Sequence, residues 1–190
     1  AKEFYKKVSV LPKAEIFALC GTLWQSGYLE EAVIACECAY SLKAQYEPED
    51  FEVFEYWLST HVDNWASCDT LCNHSIGTLI EQYPQYLSRL KAWTASENRW
   101  VRRGAAVTLI IPAKKGLFFQ DILDIATTLL HDRDDLVQKG YGWMLKAASE
   151  AYREKVFDFV ICHKATMPRT ALRYAIEKMP ADMRAEAMKK

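Results

Sequence analysis

One segment, written three times, constrains this chain more than anything else in it. Asn98 to Ala106 reads NRWVRRGAA, Asp134 to Gly142 reads DDLVQKGYG, and Met167 to Ala175 reads MPRTALRYA. Each opens on a residue suited to a helix start, continues through apolar and basic positions, and passes into small residues. Arg103 to Lys139 spans 36 residues and Lys139 to Thr170 spans 31. A unit that recurs at this interval cannot bury its apolar face alone, so it must stack on its neighbours.

Helical periodicity fills the rest. Ile16, Leu19, Cys20, Leu23 and Trp24 recur at spacings of three and four, as do Leu29, Ala32, Val33, Cys36 and Tyr40. Pro48-Glu49-Asp50 opens a helix bearing Phe51, Phe54, Trp57 and Leu58, and a further helix is expected over Val62 to Cys72. Pro84 starts another, with Tyr86, Leu87, Leu90 and Trp93, and Pro112 to Gly116 reads as a loop before Phe118, Ile122, Ile125 and Leu129. The pattern is that of HEAT-type repeats. The expected fold is all-α, a right-handed α-solenoid of HEAT-like helical repeats with a concave face, residues 1–190 forming one repeat domain. An irregular helical bundle is the alternative. Only 7 Gly and 6 Pro occur among 190 residues, which disfavours a turn-rich β fold, and 51% apolar residues exclude wholesale disorder. The uncharged run from Gly104 to Ala113 is half the ~20 residues a membrane span needs, so no membrane partner is expected. The six cysteines lie inside apolar helical patterns and read as reduced, mostly buried thiols of a cytoplasmic protein.

The net charge of −1 conceals a strong asymmetry. Residues 14–83 hold 12 acids and one lysine, whereas residues 84–120 hold seven Lys or Arg against Glu97 alone. Residues 139–190 hold 11 bases against 6 acids. Charges act locally, over about 8 Å at physiological salt, so a polyanion partner stays open despite the balanced total.

Three places could carry chemistry. In VDNWASCDTLC, Trp65 and Asp69 are four residues apart and project from one helix face. An indole beside a carboxylate suits a cationic ligand, and a core Trp with an exposed Asp is the other reading. Trp143, next to Gly142 in KGYGWMLK, either stands out to stack on a flat ligand or packs in the core. Arg102 and Arg103 point about 100° apart on a helix, so one could reach a phosphate while the other stays solvated. Gly104, Ala105, Gly140 and Gly142 would allow helices to approach closely. Cys68 and Cys72 with His61 or His74 lack a confirming zinc pattern, so no metal is expected, and no P-loop, GxGxxG, GxSxG or HExxH occurs.

Taken in order, VDNWASCDTLC, SENRWVRRGAAVTL, DDLVQKGYGWMLKAASE and MPRTALRYAIEKMP resemble the AlkD-like DNA alkylation repair proteins, HEAT-like-repeat DNA glycosylases. The resemblance runs from about Leu11 to Pro180. It implies a curved solenoid with a basic concave surface for double-stranded DNA, and excision of cationic alkylpurines such as 3-methyladenine and 7-methylguanine. The lesion would stay in the duplex, with no deep base pocket and no cofactor, and the protein would act as a monomer. Carried over, the active-site set is Trp65, Asp69, Arg103 and Trp143, with Arg99, Arg102, Lys139, Lys146, Arg169 and Arg173 as DNA contacts. Family members carry further helices before this start, and Ala1 to Tyr5 reads as the tail of one, so upstream helices are expected to be missing. A non-catalytic repeat module binding DNA structures or a protein is the alternative function.

Overall fold

The computed structural model describes residues 2–189, and among them every regular element is helical. The contacts group the chain into two compact units, Ala1–Tyr86 and Leu87–Lys190.

The first unit contains α1 (Lys2–Val8), α2 (Lys13–Gln25), α3 (Leu29–Ser41), α4 (Asp50–Thr60), α5 (Trp65–Thr70) and α6 (Gly77–Gln82). Its core is aromatic: Phe17, Phe54 and Trp57 lie with ring centroids 5.6–5.7 Å apart. The expected faces of α4 are all buried, whereas those of α2 and α3 are turned by about one position. Phe17 takes the inward place expected of Leu19, and Ala35 and Ala39 take those expected of Leu29 and Val33, which are exposed. Small residues win on α3 because it packs against both α2 and α5, and close approach on two sides leaves no room for larger ones. Cys36 and Cys38 are accordingly both buried, as are Cys20, Cys68 and Cys72, and Cys162 is the exposed thiol. Lys13 anchors the end of the unit by bridging Glu47 at 2.6 Å and Asp50 at 3.1 Å.

The helix expected over Val62 to Cys72 starts three residues later and runs much further. α5 passes without a break into a π-helical stretch, Leu71–Ile76, and then into α6. The wider turn admits Leu71, Cys72, Ser75 and Ile76 to the interior, and the apolar pattern continues through Leu79 and Ile80.

The second unit contains α7 (Leu87–Trp93), α8 (Arg99–Val107), α9 (Ile110–Lys114), α10 (Phe119–Thr128), α11 (Asp135–His163), α12 (Arg169–Ile176) and α13 (Ala181–Met188). The loop expected at Pro112 to Gly116 is mostly the helix α9. Pro112 is in its first turn, where its missing N–H costs nothing, and Gly116 at φ +73° ends the turn that follows. α11 is two helices fused end to end, since Tyr152 has φ −132° and ψ 51°. The Tyr152 hydroxyl fixes this kink by donating to the Gly116 carbonyl at 2.9 Å.

The second helices of the pairs start at regular intervals. Their caps are Tyr28, Asn64, Asn98, Asp134 and Pro168, separated by 36, 34, 36 and 34 residues. This register replaces the 31-residue interval expected for the last copy: Arg173, not Thr170, stands where Arg103 and Lys139 stand. Proline in place of an Asn or Asp cap hid the correct alignment. The fifth position after each cap reads Val33, Asp69, Arg103, Lys139 and Arg173.

Candidate functional site

In the first unit the site is built by the start of α5. The Asn64 side chain accepts from the Ser67 N–H at 3.0 Å and fixes where the helix begins. Ser67, Cys68, Leu71 and Cys72 then take the inward positions. Trp65 is left facing solvent at 59% exposure, which removes the core reading of this residue. Asp69 follows one turn later, half-buried, and the π-helical stretch begins two residues beyond it. An exposed indole with a carboxylate one turn away can meet a cation from both the ring face and the charge. A cavity of about 310 Å³ lies in the same unit, lined by Trp24, Tyr28, His61, Asp63, Asn64 and Ser67 among others, but not by Trp65 or Asp69.

In the second unit α11 is held between α8 and α12, and its two glycines serve opposite sides. A Cβ on Gly140 would stand 3.4 Å from Arg103 Cγ and 3.5 Å from Nη1. A Cβ on Gly142 would stand 2.7 Å from the Ala171 carbonyl oxygen and 2.7 Å from Tyr174 Cβ, closer than real contacts allow. Tyr141 between them is fully buried, donates to the Leu130 carbonyl at 3.2 Å, and has its ionisation pushed up by burial. Trp143, the next residue, is half-buried. Arg103 is 5% exposed and donates to the Leu136 carbonyl, so it ties α8 to the first turn of α11.

Most of the other expected DNA contacts are engaged within the second unit. Arg99 pairs with Asp134 at 2.9 Å and lies over the Trp100 ring at 5.0 Å. Arg102 pairs with Asp132 at 2.7 Å and donates to the Ser96 and Glu97 carbonyls, both at 2.9 Å. Lys139 pairs with Asp135 at 2.5 Å; each raises or lowers the other, lysine up and aspartate down, in favour of the charged forms. Lys146 bridges to Glu177 at 2.9 Å. Arg169 donates to the Met188 carbonyl at 3.3 Å, and Arg173 is exposed beside the groove that Arg184 and Met188 also line. The acid partners of these cations were not singled out in the sequence, although Asp132, Asp134 and Asp135 stand together in it. Tyr28, 68% exposed at a helix cap, was also passed over, since it belongs to no apolar period. Among the described residues no group of three or more His, Cys, Asp or Glu is placed to hold a metal, and no helix is long and apolar enough to cross a membrane.

The family described as DNA alkylation repair enzyme matches residues 1–179. No curated protein matches the chain. Among solved structures, a predicted DNA alkylation repair enzyme from Enterococcus faecalis superposes with a TM-score of 0.82 at 18% identity, over 95% of this chain and 83% of that one. At that identity the likeness shows the fold alone, an all-α arrangement of paired helices.

Proposed function

Because this chain belongs to the DNA alkylation repair enzyme family, we propose that it acts in alkylation damage repair as a monofunctional DNA glycosylase, hydrolysing the N-glycosidic bond of cationic alkylpurines in duplex DNA. Residues 1–190 act in this reading as one HEAT-like repeat domain, a monomer needing no cofactor. The observation that carries it is the exposed Trp65 one helical turn before Asp69.

The chemistry follows from these residue types. Alkylation at N3 or N7 leaves a positively charged purine that is already a good leaving group. Breaking its bond to C1′ builds oxocarbenium character on the deoxyribose. The Asp69 carboxylate stabilises that charge and orients the water that attacks C1′. Trp65 and Trp143 offer ring faces to the sugar and the cationic base. Arg103 supplies a phosphate contact. Its packing against Gly140 and its bond to the Leu136 carbonyl support a pre-oriented guanidinium rather than a searching one. Arg99, Arg102, Lys139, Lys146, Arg169 and Arg173 add sequence-independent attraction to the backbone.

The test is release of free base from duplex DNA containing 7-methylguanine, with Asp69→Asn in parallel. Release by the wild type and near-silence of the variant, with duplex affinity retained, is the expected result. Normal turnover by Asp69→Asn would remove Asp69 from the chemistry.

A second reading, a non-catalytic module that binds DNA structures or a protein, draws on a different observation. Arg99, Arg102, Lys139 and Lys146 each already hold an acid of this chain. Salt-sensitive duplex binding without base release favours the DNA-binding form of this reading, and absence of duplex binding favours a protein partner.

A further inference from the structure

The 310 Å³ cavity of the first unit has a chemistry that the Trp65–Asp69 pair does not use. It is bordered by the end of α2, the turn into α3, and the segment that joins α4 to α5. Trp24 lines it and is 4% exposed, and its indole Nε1–H has no hydrogen-bond partner. His61 lines it too, and its Nε2 is likewise buried without a partner. Buried polar groups are rarely left unpaired, so two on the wall of one cavity call for something that fills it. Packing explains why neither turns away. Trp24 is held against Trp57 with ring centroids 6.2 Å apart, and His61 meets Tyr56 edge-on at 5.4 Å.

The remaining wall defines what fits. Tyr28 presents a ring that is 68% exposed. Asp63 contributes an exposed carboxylate, steadied by the Asn64 amide donating to Oδ1 at 2.8 Å. No lysine or arginine lines the cavity, which argues against a phosphate or other anion. A volume of this size takes a single fused ring system but not a nucleotide with its backbone. Aromatic walls, an unmet N–H donor, an unmet ring nitrogen and one carboxylate together suit a flat, hydrogen-bonding, positively charged heterocycle.

We propose that this cavity is a binding subsite for a cationic N-alkylpurine base, lined by residues other than Trp65 and Asp69. Identifying the cation as an alkylpurine rests on the glycosylase reading; the cavity's preference for a flat cation does not. Tyr28 stacks on the ring, Asp63 meets its charge, Trp24 Nε1–H donates to a ring or exocyclic acceptor, and His61 Nε2 pairs with the opposite edge. The base reaches the subsite either extruded from DNA or free after release.

The experiment titrates the full chain with 7-methylguanosine, whose methylated imidazole ring carries positive charge, and with guanosine as the control. Binding is followed by calorimetry and by tryptophan fluorescence. Saturable binding of the methylated nucleoside, at least about tenfold tighter than guanosine, is expected. Asp63→Asn and Tyr28→Ala, both at exposed positions, should each weaken it by about tenfold. Trp24→Phe should do the same with the ring packing kept. Failure of 7-methylguanosine to saturate, or equal affinity in wild type and all three variants, overturns the proposal and leaves the cavity to ordered water. The titration is repeated in Asp69→Asn, which needs no turnover, so a failed glycosylase reading and a failed subsite give different results. Two further arms separate the sources. An extruded base predicts that Asp63→Asn weakens binding to lesion-containing duplex but not to undamaged duplex. A released base predicts that added 7-methylguanine inhibits excision by the wild type and not by Asp63→Asn.

Discussion

The two units have opposite charge and opposite ways of presenting an aromatic. Counted from the sequence, residues 1–86 carry net −8 and residues 87–190 net +7. In the acidic unit, Trp65 stands out from the first turn of α5 while the residues behind it fill the core. In the basic unit, Trp143 follows a Gly-Tyr-Gly run whose every residue is buried. Gly140 and Gly142 are glycines because α8 and α12 leave no room for a Cβ, or almost none. The difference separates two roles that look alike in sequence. The Trp65–Asp69 turn can change without disturbing packing, so substitutions there should be read in chemistry. The Gly140–Trp143 turn cannot, so substitutions there should be read first in stability.

The sharpest use of that contrast is Asp69→Asn. Loss of one charge aimed at the reaction centre should lower single-turnover excision by 10²–10³-fold, roughly 3–4 kcal/mol of barrier. The amide matches the carboxylate in shape, so the urea midpoint should barely move. A large loss of stability would place Asp69 on the packing side of the comparison and break it.

Gly142→Ala tests the other half. The added methyl would meet backbone as well as side chain, at 2.7 Å from the Ala171 carbonyl oxygen, and α12 must shift to admit it. The expected cost is about 2–3 kcal/mol in urea unfolding, at unchanged slope. Gly140→Ala should cost clearly less, because its nearest neighbours at 3.4–3.5 Å are side-chain atoms in ordinary contact. Equal costs would mean that α11 is not clamped more tightly on the α12 side.

Next come the caps, which the two units share. Asn64 and Asp134 each accept from backbone N–H groups of the turn they open. Asn64→Ala and Asp134→Ala should each cost about 1 kcal/mol. Asp134→Asn keeps the cap and gives up the charge facing Arg99, so it should cost only a few tenths. If Asp134→Asn costs as much as Asp134→Ala, the Arg99 pair and not the cap sets the start of α11.

These elements also mark what the sequence could reveal. The helix pairs were legible because period and capping are local, and α4 kept every expected inward residue. The partners of a helix are not local. α3 turned its small residues inward because it is packed on two sides, and a period of three and four cannot say on how many sides a helix is covered. The π-helical stretch was hidden for a similar reason, since one extra residue per turn leaves the apolar spacing almost intact. At the site, Trp65 and Asp69 could be named from spacing, and the exposure of Trp65 could not. The burial of Arg103 was hidden because arginine is rarely an inward residue, and only Gly140 opposite makes space for it.

The smallest effect concerns a cation held by two acids in the basic unit. Lys91 bridges Asp121 at 2.8 Å and Asp124 at 2.7 Å, with its side chain 39% exposed. Hydrogen bonds from these two acids raise the lysine, and Lys91 together with Gln120 lowers Asp124. A lowered carboxylate adds stability that is complete above its ordinary range and is lost as pH falls through the folded value. A raised lysine adds stability that is complete below its ordinary range and is lost as pH rises through the folded one. The pair should therefore contribute a constant amount from about pH 5 to pH 9, and solvent screening limits it to under about 1 kcal/mol. Asp124→Asn should lower the urea unfolding free energy by that small constant across the plateau. Below about pH 4 the gap between variant and wild type should close, because the wild-type carboxylate is then being protonated as well. Added salt should shrink the plateau gap. A gap that widens in acid would mean that the neutral Asp124 is the form this fold prefers, and the ion pair would drop out of the account of how α7 is held to α10.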